Sequence, residues 1–208
     1  MSSLVLTADT LLGTPTIGST EFDGKVFYNT PQGTQRGVIP GAQFYRLNAD
    51  LAGANVTTAQ NIFGVGVTLS TATVYAFEMV INFAKTAGAT SHTAGISFGG
   101  SATLNNINWM VEGYGISTSA VLIGLTNYIA GYSAVATNTT VTAAGASATV
   151  YWGAMIKGTV SINGGGTFIP QYTLSAAPGG AYSTVAGSYI NIYPIGASGA
   201  NTSVGAWA

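Results

Sequence analysis

From Val74 to Lys85 the chain alternates strictly. Tyr75, Phe77, Met79, Ile81 and Phe83 fall on one side, and Val74, Ala76, Glu78, Val80, Asn82 and Ala84 on the other. A period of two sustained over so long a run fits a pleated strand and not a helix, whose apolar positions recur every three to four residues. The run predicts a central strand with one aromatic, buried face. Ala148 to Ile162 repeats the pattern, with Val150, Trp152, Ala154, Ile156, Val160 and Ile162 facing one way and Thr149, Tyr151, Lys157, Thr159 and Ser161 the other. Val26 to Thr30, Gln43 to Leu47, Thr93 to Phe98, Leu104 to Tyr114, Thr167 to Leu174 and Ser188 to Ile195 are shorter segments rich in the β-branched and aromatic residues that suit strands.

Glycine punctuates these segments. Asn163-Gly164-Gly165-Gly166 reads as a hairpin turn between two strands, and Phe98-Gly99-Gly100 and Pro178-Gly179-Gly180 read as further breaks. Helical signals are confined to Ala52 to Asn61 and Ser117 to Tyr128, where Gly, Thr and Asn disfavour more than a turn or a short helix. Many strands separated by Gly-rich turns predict an all-β, jelly-roll-like antiparallel β-sandwich.

Charge divides the chain. Only five basic and six acidic side chains occur in 208 residues, 5% against about 25% in an ordinary soluble domain. Asp9, Glu21, Asp23, Lys25, Arg36, Arg46 and Asp50 lie at the start, whereas the remainder carries only Glu78, Lys85, Glu112 and Lys157. The reading is an extended N-terminal arm over residues 1–40 and a neutral β-sandwich over residues 41–208. Leu4 to Leu12 reads as a short strand, but the leader as a whole has too few apolar residues for a core of its own. A formal charge of -1 supplies no basic field for nucleic acid or for a membrane surface. No stretch is long and apolar enough for a membrane-spanning helix, and Met1 to Thr7 lacks the basic and apolar regions of a secretory signal.

Catalytic constellations are hard to assemble from these residues. The single histidine, His92, would need Asp9, Asp23 or Asp50 to complete a triad, and reads as a structural, hydrogen-bonded residue. One His and no Cys cannot make a zinc site within a chain. Glu21, Asp23 and Lys25 share one strand face and read as a charged contact strip rather than a catalytic pair. No enzyme activity, cofactor or metal is expected. Tyr128, Tyr132, Tyr172, Tyr182, Tyr189, Tyr193 and Trp207 are assigned to core and subunit packing first, and to glycan contact second.

Glu21-Phe22-Asp23-Gly24-Lys25-Val26-Phe27-Tyr28, then Arg36-Gly37-Val38-Ile39-Pro40 and Val74-Tyr75-Ala76-Phe77-Glu78, resemble a module of head-decorating and tail-fibre-like proteins of tailed bacteriophages, cyanophages among them. Gly165-Gly166-Thr167-Phe168-Ile169-Pro170-Gln171-Tyr172 and Tyr193-Pro194-Ile195-Gly196 resemble its last part. The resemblance implies a virion protein with a jelly-roll-like sandwich that assembles as a homotrimer. A short leader in place of a long shaft favours a capsid decoration, or cement, protein on the outer head surface, made in the host cytoplasm. Its expected partners are further copies of itself and the major capsid protein, with Glu21, Asp23, Lys25, Arg36 and Arg46 as candidate capsid contacts. The alternative is a tail-fibre tip that recognises host surface glycans.

Overall fold

A computed structural model describes residues 4–117, 128–199, 201–205 and 207 of the chain. Strands account for all regular structure among them. In chain order these are β1 (Thr20–Phe22), β2 (Phe27–Gln32), β3 (Gln35–Ile39), β4 (Gln43–Arg46), β5 (Leu51–Ala52) and β6 (Gln60–Asn61). Then follow β7 (Val67–Leu69), β8 (Thr73–Lys85), β9 (Ala94–Gly99), β10 (Thr103–Ser117) and β11 (Tyr128–Ser133). The last are β12 (Thr139–Thr140), β13 (Val150–Gly164), β14 (Gly166–Leu174), β15 (Ser183–Thr184) and β16 (Tyr189–Ala197).

Every pairing is antiparallel, and the strands form three sheets. The wide sheet runs β11-β10-β13-β8, and beyond β8 it continues in two segments placed end to end. There β16 and then β4 cover Thr73 to Val80, while β15 and then β5 cover Phe83 and Ala84. A narrower sheet joins β12, β9 and β14, with β6 and β7 side by side along β14. The chain crosses between these two sheets at β5 to β6, β7 to β8, β8 to β9, β9 to β10, β11 to β12, β12 to β13, β13 to β14 and β14 to β15. Each crossing turns an alternating strand so that its apolar side faces the same interior.

That interior combines aromatic rings with β-branched and other aliphatic side chains. Tyr75, Phe77, Met79, Ile81 and Phe83 of β8 and Trp152, Ala154, Ile156, Val160 and Ile162 of β13 are buried, as the alternation predicts. Phe98 stacks on Phe168 with centroids 5.0 Å apart and meets Trp109 edge-on at 5.7 Å. At the other end Phe83 stacks on Trp152 at 4.2 Å and tilts against Tyr172 at 4.8 Å.

Three local expectations change. Asn163 to Gly166 is not a hairpin, because β13 pairs with β8 and β10 whereas β14 pairs with β9, β6 and β7. The glycines serve a corner between sheets. A Cβ on Gly165 would stand 3.0 Å from the Leu69 carbonyl, and one on Gly166 would stand 2.7 Å from the Ala102 amide nitrogen. Ala52 to Asn61 forms no helix. It holds β5 and β6 in different sheets, and the Gln60 side chain closes the loop between them by bonding both backbone groups of Ala54. Leu4 to Leu12 contains no strand; the Asp9 amide bonds the Phe22 carbonyl, and the Leu12 amide a carboxylate. Of the turn expected over 117–128, residues 118–127 lie outside the described residues, and its two ends are strand termini.

The leader also departs from an extended arm. β1, β2 and β3 make a separate antiparallel meander, with Thr20 to Phe22 paired to Phe27 to Asn29, and Phe27 to Asn29 paired in turn to Gly37 to Ile39. Phe22 and Phe27, directly opposite in the register, stack at 4.3 Å. Val26, Tyr28 and Thr30 of the leader are buried.

Candidate interaction surface

The five candidate contact residues occupy two places. Glu21, Asp23, Lys25 and Arg36 gather in the meander, and Arg46 ends β4 in the wide sheet. In the meander the charges meet one another or the backbone. Arg36 grips Glu21 with two parallel bonds, Nε to Oε2 at 2.9 Å and Nη2 to Oε1 at 3.0 Å, the bidentate geometry that suits guanidinium and carboxylate. The same pair holds the preceding segment, since Glu21 Oε1 accepts the Leu12 amide at 2.7 Å and Arg36 Nη2 donates to the Leu12 carbonyl at 2.8 Å. Burial opposes the charge on Glu21, but the Leu12 amide and Arg36 outweigh it, so its pKa lies below the ordinary 4.5.

Asp23 organises the turn between β1 and β2. Its Oδ1 accepts the Val26 amide at 2.7 Å and the Lys25 amide at 2.8 Å, and its Oδ2 accepts the Tyr28 hydroxyl at 2.9 Å. Burial alone would raise its pKa, yet these donors outweigh burial and hold it below the ordinary 3.8. Lys25 then reaches out of the meander, donating from Nζ to the Thr71 carbonyl at 2.9 Å and to Thr73 Oγ1 at 3.3 Å at the start of β8. These residues therefore shape the meander and fasten it to the sandwich.

Replacing Asp23 with alanine would strand two turn amides and the Tyr28 hydroxyl. We expect a loss of about 1–3 kcal/mol in local stability, read as faster hydrogen exchange in β1 and β2 with β8 unchanged. A depressed carboxylate pKa stabilises the fold above the unfolded value, and this contribution is lost as pH falls through the folded one. The meander should therefore loosen in acid, below about pH 4, ahead of the sandwich.

The body's chemistry is inward and structural. His92 is buried, with Nδ1 2.7 Å from the Thr90 carbonyl and Nε2 2.8 Å from the Tyr182 hydroxyl. A carbonyl only accepts, so Nδ1 carries a proton and the ring is fixed between two partners. Its place in β9's approach, bridged to Gly145, is that of a structural histidine. Lys85 is also buried; its Nζ donates to the carbonyls of Ala87 at 3.1 Å and Ala148 at 3.3 Å, and to those of Gly88 and Ser147. Burial pushes its pKa below the ordinary 10.5. The ammonium thus ties two loops at one end of the sandwich.

Glu78, Glu112 and Lys157 alternate with buried neighbours and so share the outer face of the wide sheet. Glu78 and Lys157 are opposite in register and 3.6 Å apart, an exposed pair of small energetic weight. Tyr132 and Met110, also register partners, are exposed on that face. Among the other aromatic candidates Tyr172 and Tyr182 belong to the core, Tyr189 stacks on Phe44, and Trp207 is exposed; the side chain of Tyr128 lies outside the described residues.

One surface escaped the sequence reading. β4 pairs with β16 on one side only, so its other edge is open among the described residues, and all four of its side chains are exposed. Phe44 and Tyr45 on this edge, with Phe63, Val67, Pro170 and Ile190, line a groove of about 310 Å³ where the sandwich interior reaches the surface. Gln43 to Leu47 reads correctly as a strand, but its edge position depends on β16, which comes from the opposite end of the chain.

No protein-family model, curated protein or solved structure matches this chain.

Proposed function

We propose that the chain is a virion structural protein of a tailed bacteriophage, a capsid decoration protein that self-associates as a homotrimer and clamps neighbouring major capsid subunits on the outer head surface. The observation that carries this reading is the division of the molecule into a neutral antiparallel sandwich and a separate charged meander fastened to it by Lys25. The body buries its single histidine and its one inward lysine in structural hydrogen bonds, which suits a role of adding contact area rather than performing chemistry. Three meanders on one trimer engage the lattice together, and each binding event raises the effective concentration of the next. Glu21, Asp23, Lys25 and Arg36 act by holding the meander in its contact shape, and Arg46 presents its charge at the sandwich edge.

A second reading is a tail-fibre tip that binds host surface glycans. It is favoured by Tyr132, 76% exposed beside Met110 on the outer sheet face, because an open ring can stack on a sugar.

The test mixes purified protein, with and without residues 1–40, with phage heads lacking it and, separately, with host cells. The decoration reading expects only the full chain to bind heads and neither form to bind cells, with circular dichroism confirming that both are folded. Binding to cells while heads stay bare would establish the fibre-tip reading instead.

A further inference from the structure

An open strand edge beside an apolar groove is an unfinished sheet. On β4 the amide and carbonyl groups facing away from β16 have no strand partner among the described residues, and Phe44 and Tyr45 are 61% and 40% exposed. The same chain carries a segment with the complementary need. Leu4 and Val5 are 89% and 79% exposed, and residues 4–8 lie in no sheet, although Leu4-Val5-Leu6 is as apolar as a core strand. Neither surface covers the other within one chain.

Their charges also match. Asp9 closes the apolar segment, and its carboxylate bonds only the Thr10 amide, at 2.7 Å, among the described residues. Arg46 closes β4, and among the described residues its guanidinium bonds only the neutral Asn48 amide oxygen, at 2.7 Å. Among the described residues Glu21 pairs with Arg36 and Glu78 with Lys157, whereas Asp9 and Arg46 have no oppositely charged partner. An anion and a cation, each beside an unpaired apolar stretch, supply the complementarity that selects a partner and sets its register.

We propose that residues 4–9 of one copy add as a strand, parallel to β4, to its open edge in a second copy, with Leu4 and Leu6 supplying apolar side chains to the groove on the Tyr45 side, Val5 facing the Phe44 side and Asp9 meeting Arg46. Main-chain bonds supply the attachment and the groove supplies the specificity, as in other strand additions. Passed from copy to copy around a ring, the exchange is a heterologous contact that closes without leaving a free edge. The inference rests on the self-association in the proposed function and is independent of where the assembly binds.

The chain lacks cysteine, so two thiols introduced at will report the contact. Thr7→Cys and Gln43→Cys are made separately at exposed positions, mixed, and treated with a short thiol-reactive cross-linker. The expected product is a covalent pair containing one chain of each kind. In the double variant T7C/Q43C, covalent ladders between copies are expected. Absence of the mixed pair, or a double variant cross-linked only within single chains, overturns the inference. The second arm measures association by sedimentation. Asp9→Arg and Arg46→Asp should each weaken it about tenfold, and the two together in one chain should restore it. Wild-type protein that stays monomeric, or single variants that associate normally, also overturn it. No phage heads enter either arm, so failure here is distinguishable from failure of the capsid reading.

Discussion

Replacing Trp152 with alanine is expected to lower the unfolding free energy by about 3–5 kcal/mol, the range for emptying a large aromatic site in a core. Trp152 is fully buried and stands opposite Phe83 in the β13–β8 register, with the two rings stacked 17° from parallel. Its loss opens a cavity against Phe83, whose other neighbours, Tyr172 and Tyr182, are themselves held in the core. Collapse onto the gap is therefore restricted, which places the cost towards the upper end. Trp152→Phe should be milder, because the indole Nε1 has no acceptor among the described residues. Phenylalanine keeps most of the ring and removes a donor whose burial without a partner costs about 1–3 kcal/mol. Urea unfolding of the two variants separates these contributions. A Phe variant as unstable as the Ala variant would mean that indole shape, and not ring burial, holds this site.

Gly158→Ala adds one carbon and is expected to cost about 3 kcal/mol, the upper end for overpacking. Gly158 lies on the inner face of β13 between Trp109 of β10 and Phe77 of β8, its partners in the two registers. The Phe77 ring and the Trp109 Cβ occupy the space above it. A Cβ there would stand 2.8 Å from Trp109 Cβ, 2.9 Å from Phe77 Cζ and 2.3 Å from the Asn108 carbonyl oxygen. β13 is paired on both sides, so its backbone cannot retreat without breaking one ladder. The matching measurement is a shift of the urea midpoint with an unchanged slope, together with altered fluorescence of Trp109 in the folded state.

The long strands were legible because their side chains alternate for more than ten residues with one face fully buried, and a slip by one position would turn that face outward. β8 and β13 show the faces that the sequence predicts. Sheet membership was less accessible. Asn163 to Gly166 carries the residues of a hairpin, but whether the chain reverses or turns a corner depends on Leu69 and Ala102, which are distant in sequence. The meander was obscured for a related reason. Its stability rests on Asp23 capping a turn and on Glu21 meeting Arg36 from two strands away, so apolar content underestimates it. Among the candidate contacts, residue type identified the charged leader, whereas only geometry separates the four charges engaged within the chain from Arg46 at the open edge. The short helical signal over Ala52 to Asn61 illustrates tertiary override, since β5 and β6 are each drawn into a different sheet by a strand from the C-terminal half.

The position of β16 has a consequence for synthesis. It lies between β8 and β4, so β4, made from residues 43–46, has no strand to join until residues 189–192 exist. Such closure between distant parts of a chain is slow, and it must await synthesis of residues 189–192. On the ribosome the sandwich therefore matures only once β16 has emerged, with Phe44 and Tyr45 waiting unpaired until then. A nascent chain cut short before β16 would present those residues to its neighbours, and the cell would meet it as an aggregating fragment instead of a smaller folded domain.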